Sequence, residues 1–438
     1  MTNGEFSGWG RYPRATGALV CPAAPDRVHS ALQAAGDGDI IARGMGRSYG
    51  DSALAATMLD SGLLDHYIHF DPDTGVLDCE AGVSLDQILR LLVPQGWFPP
   101  VTPGTRFVTV GGAIAADVHG KNHHRDGCFS AHVPALELVL ADGSSVCCSP
   151  RDNSDLFRAT CGGMGLTGMI TRATLQMRRI PSSVLRETVI RTTDLAQTLA
   201  LFDEHHDAGY SVAWLDCLAP TGRLGRSLVM LGEHDDTTDV LDLHRVPRLR
   251  VPLDAPAGLL NRYTLRLFNA LYYARGPGQP TTRRVHYGSF FYPLDAIREW
   301  NRLYGRRGFV QYQFVLPREA GMAGLTLVLE RIARSGHGSF LSVLKALGPA
   351  NDNHLSFPME GYTLALDFRV EPALFALLDE LDAIVHDHGG RIYLAKDARM
   401  QREYVHRGYP YLDVFREVRM RYGAHRRFHS HQSRRLGI

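Results

Sequence analysis

The sequence predicts an α+β protein in two parts. Short strands joined by glycine-rich loops run to about residue 182, and a mainly antiparallel sheet flanked by helices follows. Three observations carry this. Glycines cluster at residues 44–50, 104–112 and 163–168. The texture changes near Pro181. From residue 285 onward, strand-like and helix-like segments alternate.

In order along the chain, residues 39–54 read as an apolar strand running into a glycine loop. Residues 75–97 read as strand, turn and helix, with Ser84 as N-cap and Ile88, Leu91 and Leu92 at helical spacing. Residues 133–150 form a hairpin around Asp142-Gly143. A capped helix at 153–163 and a strand at 165–180 close the first part. A helix is expected at 192–206, then strands at 210–219 and 225–231. Residues 232–262 mix polar, apolar and Pro residues and are expected to form a mobile loop. Strands follow at 286–294, 308–317, 339–349, 361–370 and 389–399, with helices at 321–335 and 372–388. The last 35 or so residues read as helical and polar.

Composition narrows the function classes. Charged residues are 21% and hydrophobic ones 45%, which excludes global disorder. The net charge of +1 gives no nucleic-acid signal. No apolar run reaches the ~18 residues of a membrane span, and the N-terminal stretch lacks a signal-peptide core. A cytoplasmic protein is expected, with contact at the inner membrane face left open. The seven Cys contain no CxxC pair, so reduced thiols are expected. The spacing of His119, His123 and His124 matches no zinc pattern, and no metal is expected. From 402 to 438 the chain carries nine Arg and three acidic residues. That is either a solvated helical end or a patch for phosphate or an anionic membrane.

The glycine clusters carry the chemistry. Gly44-Met45-Gly46-Arg47-Ser48-Tyr49-Gly50 follows a strand but opens no clean helix, as a Rossmann loop must. Residues 163–168 spell GxGxxG, but a helix precedes them and a strand follows, the reverse of that motif. A third cluster runs through Gly104 and Val110-Gly111-Gly112. Together they suggest backbone lying against an extended polyanionic ligand with amides aimed at phosphate. Three tight turns are the structural alternative.

At residues 42–54, 102–124 and 162–174 the sequence resembles the vanillyl-alcohol-oxidase-type FAD flavoproteins, most of all their decaprenylphosphoryl-β-D-ribose 2′-oxidase-like branch. The similarity continues through residues 299–305, 308–317, 339–349 and 393–399 to Ser433–Gly437. It implies a two-lobed FAD-binding domain of PCMH type from residues 1–182 and 391–438, with a substrate domain at 183–390. Arg43, Gly44, Met45, Gly46, Arg47, Ser48, Tyr49, Gly50, Asp51 and Ser52 match a pyrophosphate cradle. Gly104, Thr109, Val110, Gly111, Gly112, Ala116, Asp117, Val118, His119, Ile170 and Tyr393 match further FAD contacts. Many relatives bind the flavin covalently through a His in the first loop; Arg47 stands at that place, so non-covalent FAD is expected.

The implied reaction oxidises a secondary hydroxyl of a ribosyl or polyprenylphosphoryl-ribose substrate to a ketone. An NAD(P)H-dependent short-chain reductase partner would then complete a ribo-to-arabino epimerisation. The in-family alternative is an aldonolactone or alditol oxidase acting on a soluble substrate. Lys396 aligns with the family's essential lysine, and desolvation would make it a usable base. His119 and Tyr49 match flavin-site residues. Gln311 and Gln313, two apart on a strand, share a face suited to sugar hydroxyls. Lys121, Trp214, Lys345 and Asp367 match substrate-pocket positions. Arg302 suits either phosphate binding or a helix salt bridge. Three positions depart from the family: Ala365 replaces a reactive cysteine, Thr363 an asparagine and Phe291 a tyrosine.

Overall fold

The computed structural model describes residues 1–247, 249–256 and 258–438. Three sheets organise it. The first has the order Thr2–Ser7, Arg14–Val20, Thr57–Asp60, Ile40–Arg43. Its last two strands run parallel, and the 44–56 glycine loop connects them without a helix. The second is antiparallel: Tyr67–Phe70, Val76–Glu80, Met169–Gln176, Ala135–Val139, Ser145–Cys148. The third has eight strands, all antiparallel, and takes in the chain from Val184–Thr192 to Gly361–Arg369 with Arg391–Ile392 at its edge. The fold is α+β, as the sequence predicts.

Local chemistry explains the elements. Ser84 caps the helix Leu85–Leu92: its Oγ accepts from the Gln87 amide at 3.2 Å, and Gln87 Oε1 accepts from the Ser84 amide at 2.9 Å. Its apolar stripe, Leu85, Ile88, Leu89 and Leu92, is fully buried. The Asp142-Gly143 turn is present, with Gly143 at φ +85°. The helices Arg318–Ser335 and Pro372–Asp387 pack on one face of the eight-stranded sheet. The other face is left to the site.

Several expectations need correction. Residues 286–294 do not form a strand. The strand ends at His286, and Tyr287–Phe291 is a helix capped by the His286 ring, which accepts from the Gly288 amide. An apolar run this short does not separate strand from helix. Residues 389–399 hold only the two-residue strand Arg391–Ile392. The expected loop at 232–262 contains a further short strand, Leu249–Arg250, paired with Ile297–Arg298. The helix Arg262–Ala274 has no counterpart in the sequence reading.

The polar tail is not a solvated end. Phe415, Phe428 and Leu436 are fully buried. Ile40 donates to Arg427 O at 2.9 Å, Arg434 bonds Asp39, and Arg435 bonds both Asp51 and Asp397. Arg419 is buried and donates to the carbonyls of Leu166, Phe428 and Ile438. Much of the tail's excess charge is spent inside the fold.

Candidate active site

Between the glycine loops and the open sheet face lies a cavity of about 510 Å³. One of its walls follows from strand periodicity. Alternate residues of neighbouring strands face it: Gln311 and Gln313, Ala365, Val343 and Lys345, Val212 and Trp214, and Met230. The opposite wall is the loop 42–49 with Gly104, Thr109, Gly111, Gly112, Ala116, Val118, His119 and Ile170. Tyr393 and Lys396 close one end.

The first loop fits an anionic ligand. Among the described residues, the amides of 44–48 donate to no protein acceptor, and neither do those of Gly104 and Thr105. Gly46 sits at φ +62°, a conformation glycine adopts without strain. A Cβ at Gly44 would lie 2.4 Å from Thr109 Oγ1. The third cluster behaves differently. Val110 and Gly111 donate to Val83 and Ala81 carbonyls at 2.8 Å, and Gly112 donates to Thr109 Oγ1 at 3.1 Å. These residues offer close approach, not free donors, and in the 163–168 loop Gly163, Met164 and Leu166 likewise donate to the Thr160, Ala115 and Gly163 carbonyls, so the free amides lie at 44–48, Gly104 and Thr105.

Lys396 is half-buried, its Nζ 4.1 Å from the centroid of the Tyr49 ring. Burial lowers its pKa to about 8, with Asp367 opposing and Lys345 reinforcing. Lys345 is likewise lowered to about 8, and Lys121 to about 7, chiefly by burial. Lys121 donates to Phe290 O and sits 4.2 Å from that ring's centroid. Asp367 is raised to about 7 by burial, although Gln311 donates to its Oδ1 at 2.6 Å. Burial holds the Tyr49 phenol protonated.

His119 is a neutral donor. Burial holds its pKa well below the usual value. Gln313 Nε2 lies 3.0 Å from His119 Nε2, and since an amide nitrogen only donates, the ring proton is on Nδ1. Among the described residues, Nδ1 has no hydrogen-bond partner. Gln313 also reaches Thr363 Oγ1 at 3.3 Å, which in turn donates to Phe314 O. Tyr393 stacks on Phe357 at 4.6 Å and donates to Ala116 O at 2.8 Å.

Other expected residues lie elsewhere. Asp117 is fully buried with its carboxylate turned away, accepting from Asn351, Asn353 and Ser356. Val110 is core. Gly50 packs on Asp397, and Asp51 accepts from Arg435; they hold the loop from behind. Arg302 does not face the cavity: it donates to Pro252 O at 2.6 Å and pairs with Glu299 at 3.2 Å. Ser52 and Phe291 line the cavity, while Asp367 and Thr363 stand just behind it. His123 and His124 bond Gly348 and Ala208 separately, so the three histidines do not converge.

Residues not singled out from sequence also line the site. Trp9 lines it beneath Arg47, whose Cζ is 4.0 Å from the ring centroid. Glu187 and Arg283, cross-strand partners at 2.7 Å, extend the sheet wall. Tyr272 packs at a tilt against Trp214, with ring centroids 4.6 Å apart. Met164 and Gly165, within the discounted GxGxxG, face the cavity too. Only the last pair had a local signal, since tight left-handed turns at Met164 (φ +54°) and Gly165 (φ +76°) suit close approach.

Comparison with known proteins agrees with this geometry. A family model described as FAD binding domain matches residues 16–149. The whole chain is 38% identical to decaprenylphosphoryl-β-D-ribose oxidase of Mycolicibacterium smegmatis, covering 98% of that protein. It is 35% identical, over 81% of its length, to the whole of an uncharacterised protein of Streptomyces coelicolor. Human Delta(24)-sterol reductase is 37% identical over 26% of the chain and 22% of its own length.

Proposed function

The chain belongs to the family of FAD-dependent oxidases that includes decaprenylphosphoryl-β-D-ribose oxidase, and from that premise we propose that it oxidises the C2 hydroxyl of a phosphoryl-linked ribose to a ketone. Its preferred substrate is a polyprenylphosphoryl ribose. The observation that carries the reading is Lys396, a half-buried amine of lowered pKa at the end of a cavity that joins the FAD-type glycine loop to a polar sheet face.

Bound FAD supplies the two-electron acceptor for the hydrogen leaving the carbinol carbon. The neutral form of Lys396 takes the hydroxyl proton, and the protonated form of the nearby Lys345 favours the developing alkoxide. Gln311, held by Asp367, and Gln313, held by Thr363, orient the sugar hydroxyls. The His119 Nδ1 proton is free to donate to the flavin or the substrate. FAD is held without a covalent bond, because Arg47 stacks on Trp9 where relatives carry the attaching His. Residues 183–390 supply the substrate wall; the first 182 residues and the tail hold the cofactor. The ketone then needs a hydride donor from a separate NAD(P)H-dependent short-chain reductase to return as the arabino epimer. A lipid-linked substrate implies peripheral contact with a membrane; among the described residues, no helix is long and apolar enough to cross one.

The test is spectroscopic. Acid precipitation of the yellow protein should leave the colour in the supernatant; colour in the pellet refutes the non-covalent reading. Anaerobic titration of holoenzyme with farnesylphosphoryl-ribose should bleach the flavin. A flavin bleached by soluble lactones or alditols, and not by the phosphoribosyl lipid, would instead make this a soluble-sugar oxidase.

A further inference from the structure

The helix Arg262–Ala274 is inverted relative to an ordinary surface helix. Its inward side buries Leu265 and Asn269. Its outward side is apolar: Tyr263, Leu267 and Leu271, at i, i+4 and i+8, are 72%, 60% and 59% exposed. Phe268 is exposed beside them. The helix contains no acidic residue, and Arg262 and Arg266 flank the stripe. Among the described residues, neither arginine has a carboxylate partner, nor does Arg275 at the helix end. The chain leading in exposes Leu249, Leu253 and Leu259 as well.

The same helix is part of the cavity wall. Tyr272 lines the cavity and packs at a tilt against Trp214, while Phe268 packs edge-on against Phe340 at 5.6 Å. Phe268 also stacks on Tyr272 at 5.9 Å, so aromatic side chains are continuous from the exposed stripe to the cavity lining. We propose that the outward face of Arg262–Ala274 seats in the headgroup–acyl boundary of an anionic bilayer and passes a lipid-linked substrate inward past Tyr272. This rests on the lipid-substrate reading above. Apolar side chains with tyrosines and an arginine fringe are what such a boundary selects. A second copy on this face would set Arg262 and Arg266 among arginines of the same kind, with no acid on the helix to answer them. The Arg-rich tail is not the docking patch, since much of its charge is bonded within the fold.

The experiment is co-sedimentation of FAD-loaded protein with vesicles of phosphatidylglycerol and phosphatidylethanolamine, against phosphatidylcholine alone. The wild type should pellet with the anionic vesicles at low salt and less so at high salt. Leu267→Asp with Leu271→Asp should lower the bound fraction by roughly tenfold or more. Arg262→Glu with Arg266→Glu should abolish the preference for anionic lipid. Flavin absorbance and bleaching by farnesylphosphoryl-ribose in detergent-free buffer should be unchanged in both, which separates docking from folding and from chemistry. Three results overturn the proposal: wild type that stays in the supernatant, a double-Asp variant that pellets equally, or a wild-type dimer that the double-Asp change makes monomeric. Vesicle binding with an unbleached flavin would instead spare the docking face and sink the substrate assignment.

Discussion

The Lys396→Met variant is expected to slow reduction of the bound flavin by about 10²- to 10⁴-fold, the range a positioned base contributes. FAD should remain bound, because the loop amides of residues 44–48 that fit its phosphates are untouched. The argument rests on protonation. An ordinary lysine is almost wholly charged at neutral pH and cannot accept a proton. Burial of Lys396 among Tyr49, Lys345 and Asp367 lowers its pKa to about 8. The neutral, accepting form therefore gains population as pH rises through that value. Wild-type flavin reduction under single-turnover conditions should climb with pH and level off above about 8. In Lys396→Met that limb should vanish along with the rate. A variant that keeps more than a tenth of the wild-type rate, or keeps the same pH limb, removes Lys396 from the base role.

The second large effect is on stability. Arg435 donates to Asp51 Oδ1 at 2.7 Å, Asp397 Oδ2 at 2.9 Å and Met400 O at 2.8 Å. The Asp51 and Asp397 carboxylates are 7% and 2% exposed. Arg435→Ala leaves two buried carboxylates facing each other without a counter-ion. Breaking such a group costs about 3–5 kcal/mol. Asp51 already has a raised pKa from burial even with Arg435 present, and loss of the guanidinium raises it further. Protonation then relieves the variant as pH falls, so its melting deficit should be largest near neutral pH and shrink in acid. FAD affinity should drop too, since Asp51 ends the glycine loop and Gly50 rests directly on the Asp397 backbone. Thermal melts across pH, with FAD release followed by fluorescence, check both parts. An Arg435→Ala protein that melts with the wild type at neutral pH would show that this clamp does not hold the loop.

What the sequence made legible was mostly local. The Ser84 cap, the Asp142-Gly143 turn and the shared face of Gln311 and Gln313 depend on neighbours within a few residues, and each appears in the structure. The period-two rule placed both glutamines toward the cavity because their strand lies inside the eight-stranded sheet. The failures were of two kinds. Apart from His286 and Ser289, residues 286–294 are apolar or glycine, so periodicity could not choose between strand and helix, and a His286 cap decided it. The others depend on distant partners. Arg302 bonds the distant Pro252 carbonyl, while its pairing with Glu299 is the local helix salt bridge, one of its two readings. Asp117 is taken up by Asn351, Asn353 and Ser356, more than 230 positions along the chain. The tail arginines find carboxylates near the other end of the sequence, such as Asp39. Glu187 and Arg283 meet only because their strands pair. No local pattern records those meetings.

The reaction itself is tested most directly by where the substrate changes. Farnesylphosphoryl-ribose incubated with holoenzyme can be quenched with borodeuteride and its sugar analysed by NMR. Oxidation at C2 predicts deuterium on C2, in a mixture of ribo and arabino products. Deuterium at any other carbon, or unlabelled ribose recovered after the flavin has been bleached, would contradict the account.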